Sequence, residues 1–110
     1  MSEKRNREMY ADQEAIRLER HKGGGRYVYP FPDGQEAELN FIEQGPGILV
    51  VTHTGTPRSW RGRGTAAALV ERLANDLRQN GEKAVPLCWY ARGQFAAHPE
   101  WHDLLHQGSR

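Results

Sequence analysis

The sequence predicts one α+β domain with a mostly antiparallel sheet and a single β-α-β crossover. Residues 36–43 alternate apolar and polar side chains, which is typical of a half-buried antiparallel strand. Residues 66–77 carry apolar side chains at helical spacing, between apolar segments at 48–52 and 83–88. A strand, helix, strand unit of this kind forms a parallel pair, and 110 residues suffice for one core.

The first 25 residues are predicted to form a charged arm outside the domain. Residues 3–22 carry many charges of both signs and little apolar content, as expected for a solvated helix or a disordered arm. Gly23-Gly24-Gly25 then separates this arm from a domain that covers residues 26–110.

Three strands are expected to follow as a meander. The first covers residues 26–31 and ends at the turn Pro32-Asp33-Gly34. The second covers 36–43, and a turn at 44–47 leads to a central strand at 48–52, which is apolar throughout. The buried face of the second strand is formed by Ala37, Leu39 and Phe41.

The helix and the segments after it complete the predicted domain. Asn80-Gly81 ends the helix, and 83–88 form an edge strand because Pro86 cannot donate to a ladder. A short helix over 92–98 ends at Pro99, and the Trp and Leu residues after it pack on the domain. The buried stripe of the long helix is Ala66, Leu69, Val70, Leu73 and Leu77.

Composition excludes several classes of protein. A net charge of +1 gives no general attraction to nucleic acid or to an acidic membrane surface. The single Cys cannot form an internal disulfide, and no segment has the length and apolarity of a membrane span or a signal peptide. We therefore expect a cytoplasmic protein without a nucleic-acid or membrane partner.

The segment Arg61-Gly62-Arg63-Gly64-Thr65-Ala66, between strand and helix, predicts a site for a phosphorylated cofactor. Unpaired N–H groups and the helix dipole favour an anion there, and glycine lets phosphate oxygens approach. Neither the dinucleotide fingerprint nor the P-loop pattern fits this segment. The alternative is a purely structural turn, with glycine for conformation and arginine for solubility.

The same turn fits the pattern Q/R-x-x-G-x-G/A, with Arg61 first, Gly64 fourth and Ala66 sixth. From about residue 26 to 105 the chain resembles the small YjdJ-type proteins, a minimal branch of the Gcn5-related N-acetyltransferase (GNAT) family. It departs from them where Gly55-Thr56 follows His53-Thr54, and where Thr65-Ala66 replaces an Ile-Gly pair. The remaining segments that carry the likeness are Val85-Pro86-Leu87-Cys88 and His98-Pro99-Glu100-Trp101.

This resemblance implies a GNAT-like fold that binds acetyl-coenzyme A. The pyrophosphate would lie on the loop formed by Arg61, Gly62, Arg63, Gly64, Thr65 and Ala66. The pantetheine arm would lie in a V-shaped splay between the central strand and residues 85–88. The acceptor would be an amine on a small molecule or a protein, which the sequence does not identify.

Acetyl transfer also needs a polarised carbonyl and groups that move protons. The candidates for polarising the carbonyl are the backbone N–H groups of Thr54, Gly55 and Thr56. His53 is a candidate base, with a partly buried structural histidine as the alternative. Cys88 could accept the acetyl group, protonate the leaving thiolate or serve as a core residue.

Tyr90 is the type of proton donor that the wider superfamily uses, whereas His98 is expected to order the C-terminal turn. No metal site is predicted, because Pro99 interrupts the helical spacing of His98, His102 and His106. The predicted function is acetyl-coenzyme A-dependent N-acetyl transfer. The alternative is a coenzyme A-binding module without catalysis, acting as a sensor or a partner-binding protein.

Overall fold

The computed structural model of the chain describes residues 11–107, which form a five-stranded sheet with helices packed on it. The strands are β1 (Arg17–His21), β2 (Gly24–Pro30), β3 (Glu36–Glu43), β4 (Ile48–Gly55) and β5 (Lys83–Pro86). The helices are α1 (Thr65–Asn80) and α2 (Trp89–Ala97), with 3₁₀ helices at Gln13–Ala15, Arg58–Trp60 and Pro99–Leu104.

The strands lie side by side in the order in which they occur in the chain. Strands β1 to β4 pair antiparallel with their neighbours, and β5 pairs parallel with β4 after the crossover through α1. The predicted fold class, a mostly antiparallel α+β sheet with one β-α-β crossover, is confirmed.

Helix α1 supplies most of the helical side of the core. Tyr27 Oη of β2 donates to Asp76 Oδ2 of α1 at 2.8 Å, so a polar contact also holds α1 to β2; within α1, Arg72 Nε donates to the same oxygen at 3.0 Å. Gly81, with φ of 69°, ends the helix as predicted. The apolar side chains that meet in the core include Leu69, Val70, Leu73 and Leu77 of α1 and Ala37, Leu39 and Phe41 of β3.

The structure differs from the sequence expectation before residue 26. Residues 1–10 lie outside the described part, but Arg17–His21 form a strand of the sheet where a charged arm was expected. The glycine triplet is not a spacer, because Gly24 and Gly25 belong to β2. A Cβ on Gly24 would lie 2.6 Å from Phe41 O, and one on Gly25 would clash with Glu19 O.

The charges of this stretch are paired across strands and are not simply solvated. Arg26 donates from Nε to Glu19 at 2.8 Å and from Nη1 to Glu38 at 2.7 Å, which links β1, β2 and β3. The segment before β1 is fixed on α1, since Gln13 Nε2 donates to Ala68 O at 2.8 Å.

The C-terminal elements also have different bounds from those predicted. Strand β5 ends at Pro86 and not at Cys88, and α2 begins at Trp89 and not at Arg92. Cys88 is the N-cap of α2, where its sulfur accepts a hydrogen bond from Ala91 N–H at 3.3 Å. Trp101 and Leu104 pack into the core as expected.

Candidate functional site

Strands β4 and β5 separate part-way along their length. Their pairing ends at Val51 and Pro86, whereas β4 continues to Gly55. The N–H groups of Leu87 and Cys88 both donate to Val51 O, at 3.0 and 3.2 Å, and the chain then turns into α2. Within residues 11–107, the rest of β4 has no strand partner on this side. This gap is the predicted V-shaped splay.

A β-bulge in β4 lies at the start of the gap. Asn40 pairs with His53 and Phe41 pairs with Val51, so Thr52 is an extra residue on β4. An extra residue interrupts the ladder and leaves backbone groups without a regular partner. The bulge bends β4 at the point where its pairing with β5 ends.

The glycine loop between β4 and α1 has the backbone geometry of an anion site. Gly62 and Gly64 have φ of 84° and 78°, which side chains disfavour. Gly64 is the N-cap of α1 and no side chain caps this end, so the first N–H groups of α1 are open to an outside acceptor. A Cβ on Gly62 would meet no protein atom within 4 Å, which leaves room for a phosphate.

A cleft of about 520 Å³ extends from this loop to the side chains at the end of β4 and the start of α2. Gly55 and Arg63 are absent from its lining within the described chain. Of the predicted cofactor-binding residues, seven line the cleft: Thr54, Thr56, Arg61, Gly62, Gly64, Thr65 and Ala66.

The arginines around the loop lack acidic partners. Within residues 11–107, Arg58, Arg61 and Arg63 form no ion pair; the arginines that do form one there are Arg17, Arg20, Arg26, Arg72 and Arg78. Uncompensated positive charge at a cleft favours a ligand with several negative charges.

Trp60 links the loop to the rest of the sheet. Its indole is stacked on Phe31, with centroids 4.5 Å apart and an interplanar angle of 6°, and its Nε1 donates to Asp33 Oδ2 at 3.1 Å. The Arg63 guanidinium lies 4.9 Å from the indole centroid. Phe31 and Arg63 cannot occupy the same face, so the indole is held between them. Hydrogen bonds from Gln35, and then from Trp60, hold the pKa of Asp33 below its usual range.

Thr54, Cys88 and Tyr90 come together on the other side of the site. Thr54 Oγ1 lies 3.3 Å from Cys88 Sγ, and Thr54 and Tyr90 both line the cleft. Burial raises the pKa of Tyr90, so its hydroxyl stays protonated at neutral pH. Cys88 is half-buried, between solvent and core.

The two candidate histidines do not join this group. His53 is exposed beside the bulge and points to the face opposite Thr54, since side chains alternate along a strand. Its ring lies beside Gly55, where a Cβ would be 2.8 Å from His53 Nε2, so a side chain at position 55 would require the exposed imidazole to move. His98 lies near Glu100 and stacks on Trp101, at the C-terminal turn where it was expected.

Comparison with known proteins agrees with this geometry. The family described as GCN5-related N-acetyl-transferase matches residues 26–104. The chain belongs to the GCN5-related N-acetyltransferase family. Its finer resemblance to YjdJ-type members stays a prediction. A search of curated proteins finds no match to the chain.

The NMR solution structure of a GCN5-like protein from Staphylococcus aureus is similar in fold to this GNAT chain. The two superpose with a TM-score of 0.64 at 14% sequence identity, over 87% of this chain and 93% of the other. At this identity the likeness concerns the fold alone.

Two aromatic residues of the GNAT cleft were missed by the sequence analysis. Trp60 and Trp89 both line it, and Trp89 is 81% exposed. Their positions beside Arg61 and Cys88 were the available signal, because aromatic residues next to a ligand loop often contribute to its walls.

Two other kinds of feature are absent from the described residues. Between residues 11 and 107, no cluster of three or more His, Cys, Asp or Glu side chains has the arrangement of a metal site. In the same range, no helix combines the length and apolarity needed to cross a membrane.

Proposed function

We propose that this protein transfers an acetyl group from acetyl-coenzyme A to an amine. The observation that carries the proposal is the continuity of the site. An open glycine loop, a cleft and the gap beyond Val51 follow one another, as a long ligand with phosphates at one end requires. The family supports acetyl transfer as the reaction.

The donor set of the loop fits coenzyme A. N–H groups of Gly64, Thr65 and Ala66 would hold the diphosphate, with Arg61 beside them. Arg61 is already oriented at the cleft, since its Nε donates to Thr56 O at 3.4 Å. The bound thioester supplies an activated acetyl group.

Polarisation of the thioester carbonyl is assigned to backbone N–H groups of β4. The candidates are those of Thr54, Gly55 and Thr56, because β4 has no partner there on the gap side. Peptide N–H groups fixed by a strand stabilise a developing oxyanion without reorganising.

Two residues are assigned to proton and acyl transfer. The Tyr90 hydroxyl is protonated at neutral pH and can donate its proton to the departing sulfur. Cys88 can accept the acetyl group first. In that step the Cys88 S–H bond and the thioester C–S bond break, a new S-acetyl bond forms at Cys88, and the proton passes to the departing sulfur.

The acceptor amine would then attack the acetyl carbonyl on Cys88, so that an N–C bond forms, the S–C bond to Cys88 breaks and the proton lost by the amine returns to the Cys88 sulfur. In direct transfer the amine attacks the thioester instead, and its proton replaces the acetyl group on the sulfur of coenzyme A. His53 is assigned as the base for an acceptor that approaches from the exposed face of β4. In the same proposal, Gly55 contacts the thioester carbonyl and Arg63 contacts a phosphate of coenzyme A. We place this chemistry in the cytoplasm.

One observation favours the alternative of a coenzyme A-binding module without catalysis. Strands β3 and β4 are joined only by the turn at 44–47, so no helix between them covers an acceptor. Such a module would bind the ligand and report its presence to a partner.

Intact mass after incubation with acetyl-coenzyme A tests the proposal. One added acetyl group in the wild type, absent from Cys88→Ala, supports the acyl-Cys88 step. Unmodified protein that acetylates an amine mixture supports direct transfer. Protein that binds the ligand in calorimetry without either reaction supports the module, and protein that does not bind it excludes both functions.

A further inference from the structure

The positive charge around the glycine loop exceeds what a diphosphate alone needs. Three unpaired arginines, Arg58, Arg61 and Arg63, lie within six consecutive residues of the described chain, and the N-terminus of α1 adds to them. Arg61 lines the cleft beside the backbone N–H groups, whereas Arg63 lies outside its lining.

Within the described residues, Arg63 has an aromatic contact that Arg58 and Arg61 lack. Its guanidinium lies on Trp60, whose indole is fixed by Phe31 on one face and by Asp33 at its Nε1. A guanidinium stacked on a ring keeps its N–H groups at the edge, where they can bind a phosphate in bidentate fashion. Trp60 itself lines the cleft, so the Arg63 guanidinium lies at the rim of the cleft.

We infer that Arg63 binds the 3′-phosphate of coenzyme A and makes the protein select coenzyme A over its 3′-dephospho form. This inference rests on the proposed function. The 3′-phosphate branches from the same ribose that carries the diphosphate, so it lies beside the main path of the ligand. Arg63 occupies the corresponding position, next to the loop and outside the cleft.

Isothermal titration calorimetry with coenzyme A and with 3′-dephospho-coenzyme A tests this inference. We expect the wild type to bind coenzyme A about tenfold more tightly, as one charge-assisted contact predicts. Arg63→Gln should bring the ratio of the two dissociation constants close to one by weakening coenzyme A alone. Arg17→Gln, which removes one exposed positive charge at the opposite edge of the sheet, is the control and should keep the wild-type ratio.

The other outcomes overturn the inference. Equal affinities in the wild type, or a preference that persists in Arg63→Gln, would remove the role of Arg63 and leave coenzyme A binding intact. An equal loss for both ligands in Arg63→Gln would assign Arg63 to the diphosphate. Absence of binding by either ligand to the wild type would remove the proposed function itself. Melting temperatures of both variants without ligand verify that they are folded.

Discussion

Thr54 Oγ1 and Cys88 Sγ lie 3.3 Å apart, across the gap where β4 and β5 no longer pair. A side-chain contact thus joins the two segments beyond the end of their backbone pairing. Under the proposed function, the pantetheine arm of coenzyme A would enter this gap and would contact the thiol of Cys88.

Coenzyme A should therefore protect Cys88 from alkylation. Cys88 is the single cysteine of the chain, so one added mass reports on it without ambiguity. With ligand at about one hundred times its dissociation constant, the iodoacetamide rate should fall by about a hundredfold if bound ligand blocks the thiol. The rate is measured by mass spectrometry with a thioether analogue of coenzyme A, which has no thiol to consume the reagent, and with ATP as the control ligand. An unchanged rate at saturation would place the ligand away from Cys88.

Gly64→Asn should abolish coenzyme A binding at a small cost in stability. Asn tolerates positive φ better than other side chains, but its amide would fill the space above the helix N-terminus. Gly45→Asn is the matched control, because Gly45 has φ of 75° and an empty Cβ position far from the loop. Ligand-induced shifts in melting temperature measure both. Equal shifts in the two variants would make the loop a structural turn.

Tyr90→Phe should slow acetyl transfer by about 10²- to 10⁴-fold while coenzyme A affinity changes little. Because burial raises the pKa of Tyr90 above its ordinary value of 10.0, the wild-type rate should not decline from loss of this proton below that pH. Thiol release between pH 6 and about 10.5 measures the profile. Tyr29→Phe, a tyrosine outside the cleft lining, is the control, and equal rates in both variants would exclude Tyr90 as the donor.

Deletion of residues 1–23 should destabilise the domain, whereas deletion of residues 1–10 should not remove any described contact. The longer deletion removes β1 and the buried side chain of Ile16, whose burial alone contributes about 1.5–3 kcal/mol. Urea unfolding of the two shortened chains measures the difference. Equal free energies of unfolding would restore the boundary at residue 26 that the sequence suggested.

Tyr27→Phe should lower the free energy of unfolding by about 1 kcal/mol near neutral pH, through the lost hydrogen bond to Asp76. Burial, and then the hydrogen bond to Asp76, raise the pKa of Tyr27 in the folded state. Its contribution is therefore complete below the unfolded tyrosine pKa of about 10 and is lost as the pH rises above it. Between pH 8 and a pH above 10, denaturant unfolding should show a smaller loss in the free energy of unfolding for Tyr27→Phe than for the wild type. Equal losses would contradict this prediction.

Elements with a local signal were predictable from the sequence. The alternation of residues 36–43 predicted β3, and the apolar stripe predicted α1. Asn80-Gly81 predicted where this helix ends. The glycine loop was predictable for the same reason, since its neighbours in the chain are also its neighbours in space.

Elements that depend on distant partners were not predictable. The charges of β1 suggest a solvated arm until Arg26 of β2 is known to lie beside them. The position of Cys88 as an N-cap also escaped prediction, because cysteine is not among the preferred N-cap residues. Trp60 joins the site through Phe31, which is distant in sequence.

We expect the parallel pairing of β4 with β5, and the cleft with it, to form late in folding. Strands β1 to β4 are joined by short turns and can assemble early, whereas β5 must wait for α1 to close a long loop. The cleft lies across this late contact. If this contact also opens first in unfolding, a ligand bound across the cleft would stabilise the protein mainly by slowing its unfolding.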